Sequence, residues 1–210
     1  MCDKHKTGGR AGEQTDCNYH LGRRRVLEGV AAAGAVSLAG CSNLGTDGDT
    51  EEVPSAVTLT TDDACEVCGM IIPNHPGPST EIFYPGREPS GHENPARFDS
   101  TWEAFQYDFE RSDRGWERAV MYVTDYSAVD YDIADEGGDL LISTHPEADA
   151  FVEASAVTFV VGSEVKGAMG RDLIAFTDGG DAESFADEYG GELLTLDEVT
   201  PQVIGRLGRN

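Results

Sequence analysis

The feature that most constrains the fold of this chain is a pattern that occurs twice. Arg97-Phe98-Asp99 ends a short strand and leads into a helix from Ser100; Ser100 and Glu103 have capping-box spacing, and Trp102, Phe105 and Phe109 share one face. Residues 173–177 read as a strand, and the helix after them puts Ala182, Phe185 and Tyr189 on one face. With Phe98 and Phe176 equivalent, Trp102/Ala182, Phe105/Phe185 and Phe109/Tyr189 pair after an insertion at Gly179-Gly180. A strand follows each helix, at 119–123 and at 192–196, and Gly190-Gly191 stops the second helix. Strand-like residues also precede each unit, at 81–84 and 157–161. The expected fold is therefore α+β: two related strand-strand-helix-strand units packed as one compact domain.

That domain is expected over residues 62–205, with a first half at 62–126, an acidic, Gly-containing connection at 127–148 and a second half at 149–205. Ahead of it, residues 41–61 read as a flexible acidic linker. Residues 1–40 read as a signal segment: Arg23-Arg24-Arg25, an apolar run too short to span a bilayer, then Leu38-Ala39-Gly40-Cys41. The arginines resemble a twin-arginine (Tat) export signal and the last four residues a lipobox. Cys41 is then the lipidation site, and the protein is anchored by lipid alone on the extracytoplasmic face of the cell membrane.

The 210 residues carry 39 acidic and 15 basic side chains, a formal net charge of −24. Such a balance argues against nucleic acid, whose phosphates need a basic footprint, and against a polybasic lipid-binding face. The acidity is dispersed along the chain, as in proteins that stay soluble in concentrated salt, so a halophilic source is expected. Acidic strings such as residues 132–139 read as solvated loops rather than Ca or Mg sites.

Of five cysteines, only Cys65 and Cys68 lie beyond the expected lipidation site. Two are too few for a disulfide scaffold, which leaves a local disulfide or a site. In Cys65-Glu66-Val67-Cys68-Gly69-Met70 two thiols stand close enough to share a metal ion, Gly69 lets the backbone turn, and Met70 presents a third sulfur. Thiolate and thioether donors select soft Cu(I) over hard cations. Met169, in the turn Gly167-Ala168-Met169-Gly170, is a further exposed sulfur, whereas Met121 lies in an apolar strand and reads as core. His75, His92 and His145 fall in loop-like sequence and are placed outside the site, His75 being the least remote.

Two other chemistries compete. A thiol–disulfide oxidoreductase would use Cys65 and Cys68, but no helix starts just after the pair to lower a thiol pKa. A structural zinc in a partner-binding module would want four ligands, and no second cysteine pair or histidine pair is present.

Cys65-x-x-Cys68-Gly69-Met70, Phe98-Asp99 before a helix, residues 123–126 (Val-Thr-Asp-Tyr), Gly162-Ser163, residues 167–170 and Leu173-Ile174-x-Phe176 occur in that order. Together they resemble the NosL family, lipid-anchored copper-binding accessory proteins for nitrous oxide reductase. The resemblance covers residues 62–200. It implies two strand-strand-helix-strand units and Cu(I) on Cys65, Cys68 and Met70, with Met169 as a further ligand. It also implies handover of copper to nitrous oxide reductase or another extracytoplasmic cuproenzyme, with no catalytic turnover. Two departures stand out: Ala168 replaces a proline, and Tyr189 replaces a histidine common before the Gly-Gly.

Overall fold

The structure is a computed structural model, described here for residues 53–207. The signal segment, most of the linker and the lipidation site at Cys41 lie outside those residues. Strands β1 (Thr80–Phe83), β2 (Ala96–Phe98) and β3 (Val120–Thr124) form the first unit with helix α1 (Thr101–Ser112) between β2 and β3. Next come the hairpin strands β4 (Ile133–Glu136) and β5 (Asp139–Ile142), and the short β6 (Phe151–Glu153). The second unit is β7 (Thr158–Gly167), β8 (Gly170–Phe176), α2 (Gly179–Tyr189) and β9 (Glu192–Leu194), with a closing helix α3 (Pro201–Leu207).

The internal repeat is visible in the strand pairing. β1 sits between β2 and β3, antiparallel to both, and β7 sits between β8 and β9 in the same way. β6 extends the first sheet beyond β3, giving the order β2-β1-β3-β6. The second sheet shares one edge of β7: its N-terminal half pairs with β9, and its C-terminal half pairs in parallel with β5. The two units are thus one fold used twice, as the sequence pattern predicts.

Three elements differ from the sequence-based expectation. The connection at 127–148 contains the β4–β5 hairpin, whose turn is Gly137-Gly138 with both φ positive, at 70° and 99°. Its alternation is hidden because acidic residues fall on both faces: Asp135 shares a face with the packed Ile133, Leu140 and Ile142, while Glu136 and Asp139 share the other with Ala134 and Leu141. Helix α3 carries the usual start signal, Thr200 before Pro201, with the Thr200 hydroxyl accepting from the Val203 N–H. The ordered fold also begins before residue 62. Leu59 is 2 % exposed, the Val57 N–H donates to Glu81, and the Leu59 N–H donates to the Pro146 carbonyl. One apolar side chain and a run of backbone groups with partners in the fold hold this segment down; low-complexity composition alone does not show that.

Helix α1 is buried on more than the expected face. Phe105 lies in the core beside Ala104, Tyr107 and Asp108, while Trp102 and Phe109 pack less deeply, Trp102 donating its indole N–H to the Ile204 carbonyl of α3. The reason is position: α1 contacts β1 and β2 of its own sheet and also β8 and α3. Met121 is 3 % exposed, in the core as expected.

Two aspartates lock the halves together. Asp172, on β8 and 1 % exposed, accepts from the Trp102 N–H (2.8 Å), the Ser100 hydroxyl (2.7 Å) and the Leu173 N–H (2.8 Å). Ser100 itself caps α1 by accepting from the Glu103 N–H. Reciprocally, Asp125 after β3 accepts from the Thr177 N–H and hydroxyl just ahead of α2, and the Ser127 hydroxyl accepts from the Asp178 N–H. Replacing Asp172→Ala strips three donors of their acceptor in a dry site. The expected loss is about 2–4 kcal/mol, read as a lower urea midpoint at unchanged m-value.

A second buried carboxylate makes stability depend on pH. Glu81 is fully buried, and only its Oε2 has a partner, the Val57 N–H. Burial pushes its pKa up from 4.5 to about 7, outweighing that hydrogen bond and the nearby Arg97 charge. The folded state therefore holds the proton more tightly than the unfolded chain does. The contribution of Glu81 is fully favourable below pH 4.5 and is lost as pH rises through about 7. Against Glu81→Gln, wild type should match in stability at low pH and fall behind by on the order of 3 kcal/mol at pH 8, measured by urea unfolding.

Candidate metal centre

The loop carrying the cysteines is short and closed on itself. The Cys65 N–H donates to the Met70 carbonyl (2.9 Å), the Gly69 N–H donates to the Cys65 carbonyl (3.0 Å), and Gly69 turns the chain with a φ of +75°. A left-handed φ here favours glycine, as the sequence reading expects. The Glu66 N–H donates to the Arg97 carbonyl (2.9 Å), which fastens the loop to β2. On its far side Glu66 meets the His92 ring, Nε2 to Oε1 at 2.5 Å.

The first turn of α1 closes the site from above. Sulfur and carboxylate atoms of Cys65, Cys68, Asp99 and Glu103 all lie within 4.8 Å of one another. The Cys65 thiol donates to Glu103 Oε2 at 3.1 Å, and the Cys68 thiol approaches Asp99 at 3.4 Å. Cys65 is buried and Cys68 half-buried, so one sulfur anchors the site and the other opens toward solvent.

Opposing forces set the protonation of the thiols. Burial pushes Cys65 up strongly, against backbone N–H groups of Cys68, Asp99 and Val67 that point at its sulfur and favour thiolate. Burial also raises Cys68, opposed by the Met70 N–H and the Cys65 thiol and reinforced by the charges of Asp99 and Glu103. Burial first, then its cysteine and aspartate neighbours, acts on Glu103, with a net upward shift. Without a cation the pair is held as thiols hydrogen-bonded to carboxylates; Cys65 and Cys68 would hold a soft cation by giving up those protons.

Of the residues singled out by sequence, the structure brings Cys65 and Cys68 together. Met70 closes their loop through its backbone, and its side chain is half-buried. Met169 sits on a different element, the tight turn joining β7 to β8, and is 40 % exposed. His92 is engaged with Glu66, and His145 hydrogen-bonds Ser143 at 3.0 Å.

Sequence reasoning missed Asp99 and Glu103 as members of the site. Asp99 reads in sequence as the end of a strand and Glu103 as part of a helix cap. In a capping box the N3 glutamate reaches back to the N-cap backbone; here only the serine half is used for capping, and the Glu103 carboxylate turns to Cys65. A glutamate at a capping position that is 3 % exposed has another partner, which sequence spacing does not name.

A paired-thiol cluster with two carboxylates on a duplicated α+β scaffold is the donor set of a candidate soft-metal site. The family model for NosL matches residues 56–204, and the chain belongs to the NosL family. It is 30% identical over 184 residues to the copper-binding lipoprotein NosL of Stutzerimonas stutzeri, covering 86% of this chain and 82% of that protein. It is also similar to the crystal structure of the copper chaperone NosL from Shewanella denitrificans, with a TM-score of 0.58 and 29% identity over 70% of this chain and 97% of that one.

Removing the carboxylate charges tests this electrostatic arrangement. The double variant Asp99→Asn/Glu103→Gln should alkylate Cys68 with iodoacetamide several-fold faster than wild type in the metal-free protein, because both charges oppose its thiolate. Cys65, 4 % exposed, should stay slow in both proteins; peptide mass spectrometry separates the two sites.

Proposed function

We propose that this chain is a lipid-anchored, extracytoplasmic Cu(I) chaperone that serves maturation of nitrous oxide reductase or of another extracytoplasmic cuproenzyme. The observation that carries the reading is the thiol pair itself: two sulfurs of one short loop, aimed at each other, with backbone N–H groups pointing at them. The names of the relatives, a copper-binding lipoprotein and a copper chaperone, support it. Cu(I) takes few, soft ligands, so Cys65 and Cys68 suffice to hold it, with Met70 and Met169 as candidate thioether donors. The function is binding and handover, without turnover: Cys68, on the half-open side, is the sulfur that an incoming ligand reaches first.

Thiol–disulfide chemistry is the weaker reading. A helix N-terminus does approach the cysteines, but it comes from α1 and presents two carboxylates. Its N–H groups at Trp102 and Glu103 are already taken by Asp172 and Ser100. The usual device for a reactive thiolate is thereby reversed. Structural zinc would find two thiols and two carboxylates, and the anaerobic metal content of reduced protein distinguishes it.

Anaerobic titration with Cu(I) against a chromophoric chelator tests the proposal. One equivalent should bind tightly to wild type, and Cys65→Ser/Cys68→Ser should lose at least about 100-fold in affinity, ~2.7 kcal/mol. Retained affinity in that variant, or stoichiometric zinc that copper does not displace, overturns the reading. The client is tested by the copper content of the reductase in cells that lack this protein.

A further inference from the structure

An open groove of about 540 Å³ lies between α2 and the segment that leads into β4, and it shares no residue with the metal centre. Its walls are aromatic. Tyr131 stands edge-on to Tyr126 at 5.4 Å and lies 6.4 Å from Phe185, which in turn lies 4.9 Å from Tyr189. Phe176 closes the floor at 5.2 Å from Phe185. Tyr131 and Tyr189 are only half-buried, so ring surface remains open to a guest.

The rim is acidic: Asp132 from the hairpin side, Asp181 and Glu188 from α2. Asp181 and Glu188 line the groove together with Tyr131, and burial and then their charges push the Tyr131 phenol up. No lysine or arginine lines the groove, and none of the three carboxylates has a salt-bridge partner among the described residues. α2 itself carries Asp181, Glu183, Asp187 and Glu188 with no basic residue. A face that combines bare aromatic rings with uncompensated carboxylates fits a cation whose stem is apolar.

We propose that this groove docks an arginine or lysine side chain from a basic segment of a partner protein. The aliphatic stem lies along the Tyr189 ring, which covers the buried Phe185, and the charged head sits over the Tyr131 face between Asp181 and Glu188. A protein segment suits the shape better than a free small cation, because the groove is open and accommodates chain on either side of the inserted residue. The carboxylates of Asp132, Asp181 and Glu188 supply the negative charge that a basic segment meets at the rim. The site is separate from the cysteines, so this inference does not rest on copper binding.

The test uses the folded protein and a capped Gly-Arg-Gly-Arg-Gly peptide, followed by calorimetry and by NMR of the aromatic side chains. Saturable shifts are expected in the rings of Tyr131, Phe185 and Tyr189. Tyr189→Ala and Glu188→Gln should each weaken binding by about tenfold. Both positions are at the surface, and an unchanged Tm shows that the variants fold. A peptide with glutamate in place of arginine should not bind. Absence of shifts in those rings, or an affinity unchanged from wild type in both variants, overturns the proposal. Tetramethylammonium binding as tightly as the peptide also overturns it, since the groove would then take a small cation. So does a self-associated protein whose groove is filled by a second copy.

Discussion

The carboxylate of Asp172 is fully enclosed on β8, yet three donors converge on it, two of them from the start of α1. A helix begins with N–H groups that have no partner within the helix, and a buried start cannot leave them to water. Ser100 satisfies one of these groups and Asp172 another, so the second unit completes the helix of the first. Burial pushes Asp172 up to about 7 in spite of those donors, a measure of how dry this junction is. With the helix start so held, Asp99 and Glu103 have one direction to point, and it is toward the sulfurs of Cys65 and Cys68.

The candidate metal centre is thus built from a short loop closed by its own hydrogen bonds and the start of a helix. The loop brings two thiols and directs backbone N–H groups at them; the helix brings two negative charges. Within a protein of net charge −24, gathering four acidic groups in one half-buried spot is unfavourable unless the protons stay on or a cation replaces them. That tension disfavours a persistent free thiolate in the metal-free protein. A nearby pair on the outer side of the loop, Glu66 with His92, fixes the loop from behind and leaves the cysteine face clear.

Much of this was open to a reader of the sequence. The duplicated unit was legible because apolar residues recur at helical spacing after each short strand, and the pairing of β1 and β7 with their neighbours repeats accordingly. The cysteine loop was legible because its chemistry is local: six consecutive residues contain the thiols, the turn glycine and a methionine. The β4–β5 hairpin was not, since acidic residues on both of its faces break the alternation, and neither was the packing of residues 54–59, which depends on one leucine and on partners such as Glu81 and Pro146.

What the sequence by itself determined is therefore the set of local units: the strands and helices of each half, and the spacing of Cys65, Cys68 and Met70. Short-range periodicity and backbone preferences suffice for these, because they act between residues close in the chain. Which side chains surround the sulfurs was decided only by tertiary structure. Asp99 and Glu103 are more than thirty residues from their cysteine partners, and Asp172 is seventy-two from the serine it holds. Nothing in local spacing tells a capping glutamate from one that meets a thiol; that choice is made by the packing of two homologous halves around a single buried helix start.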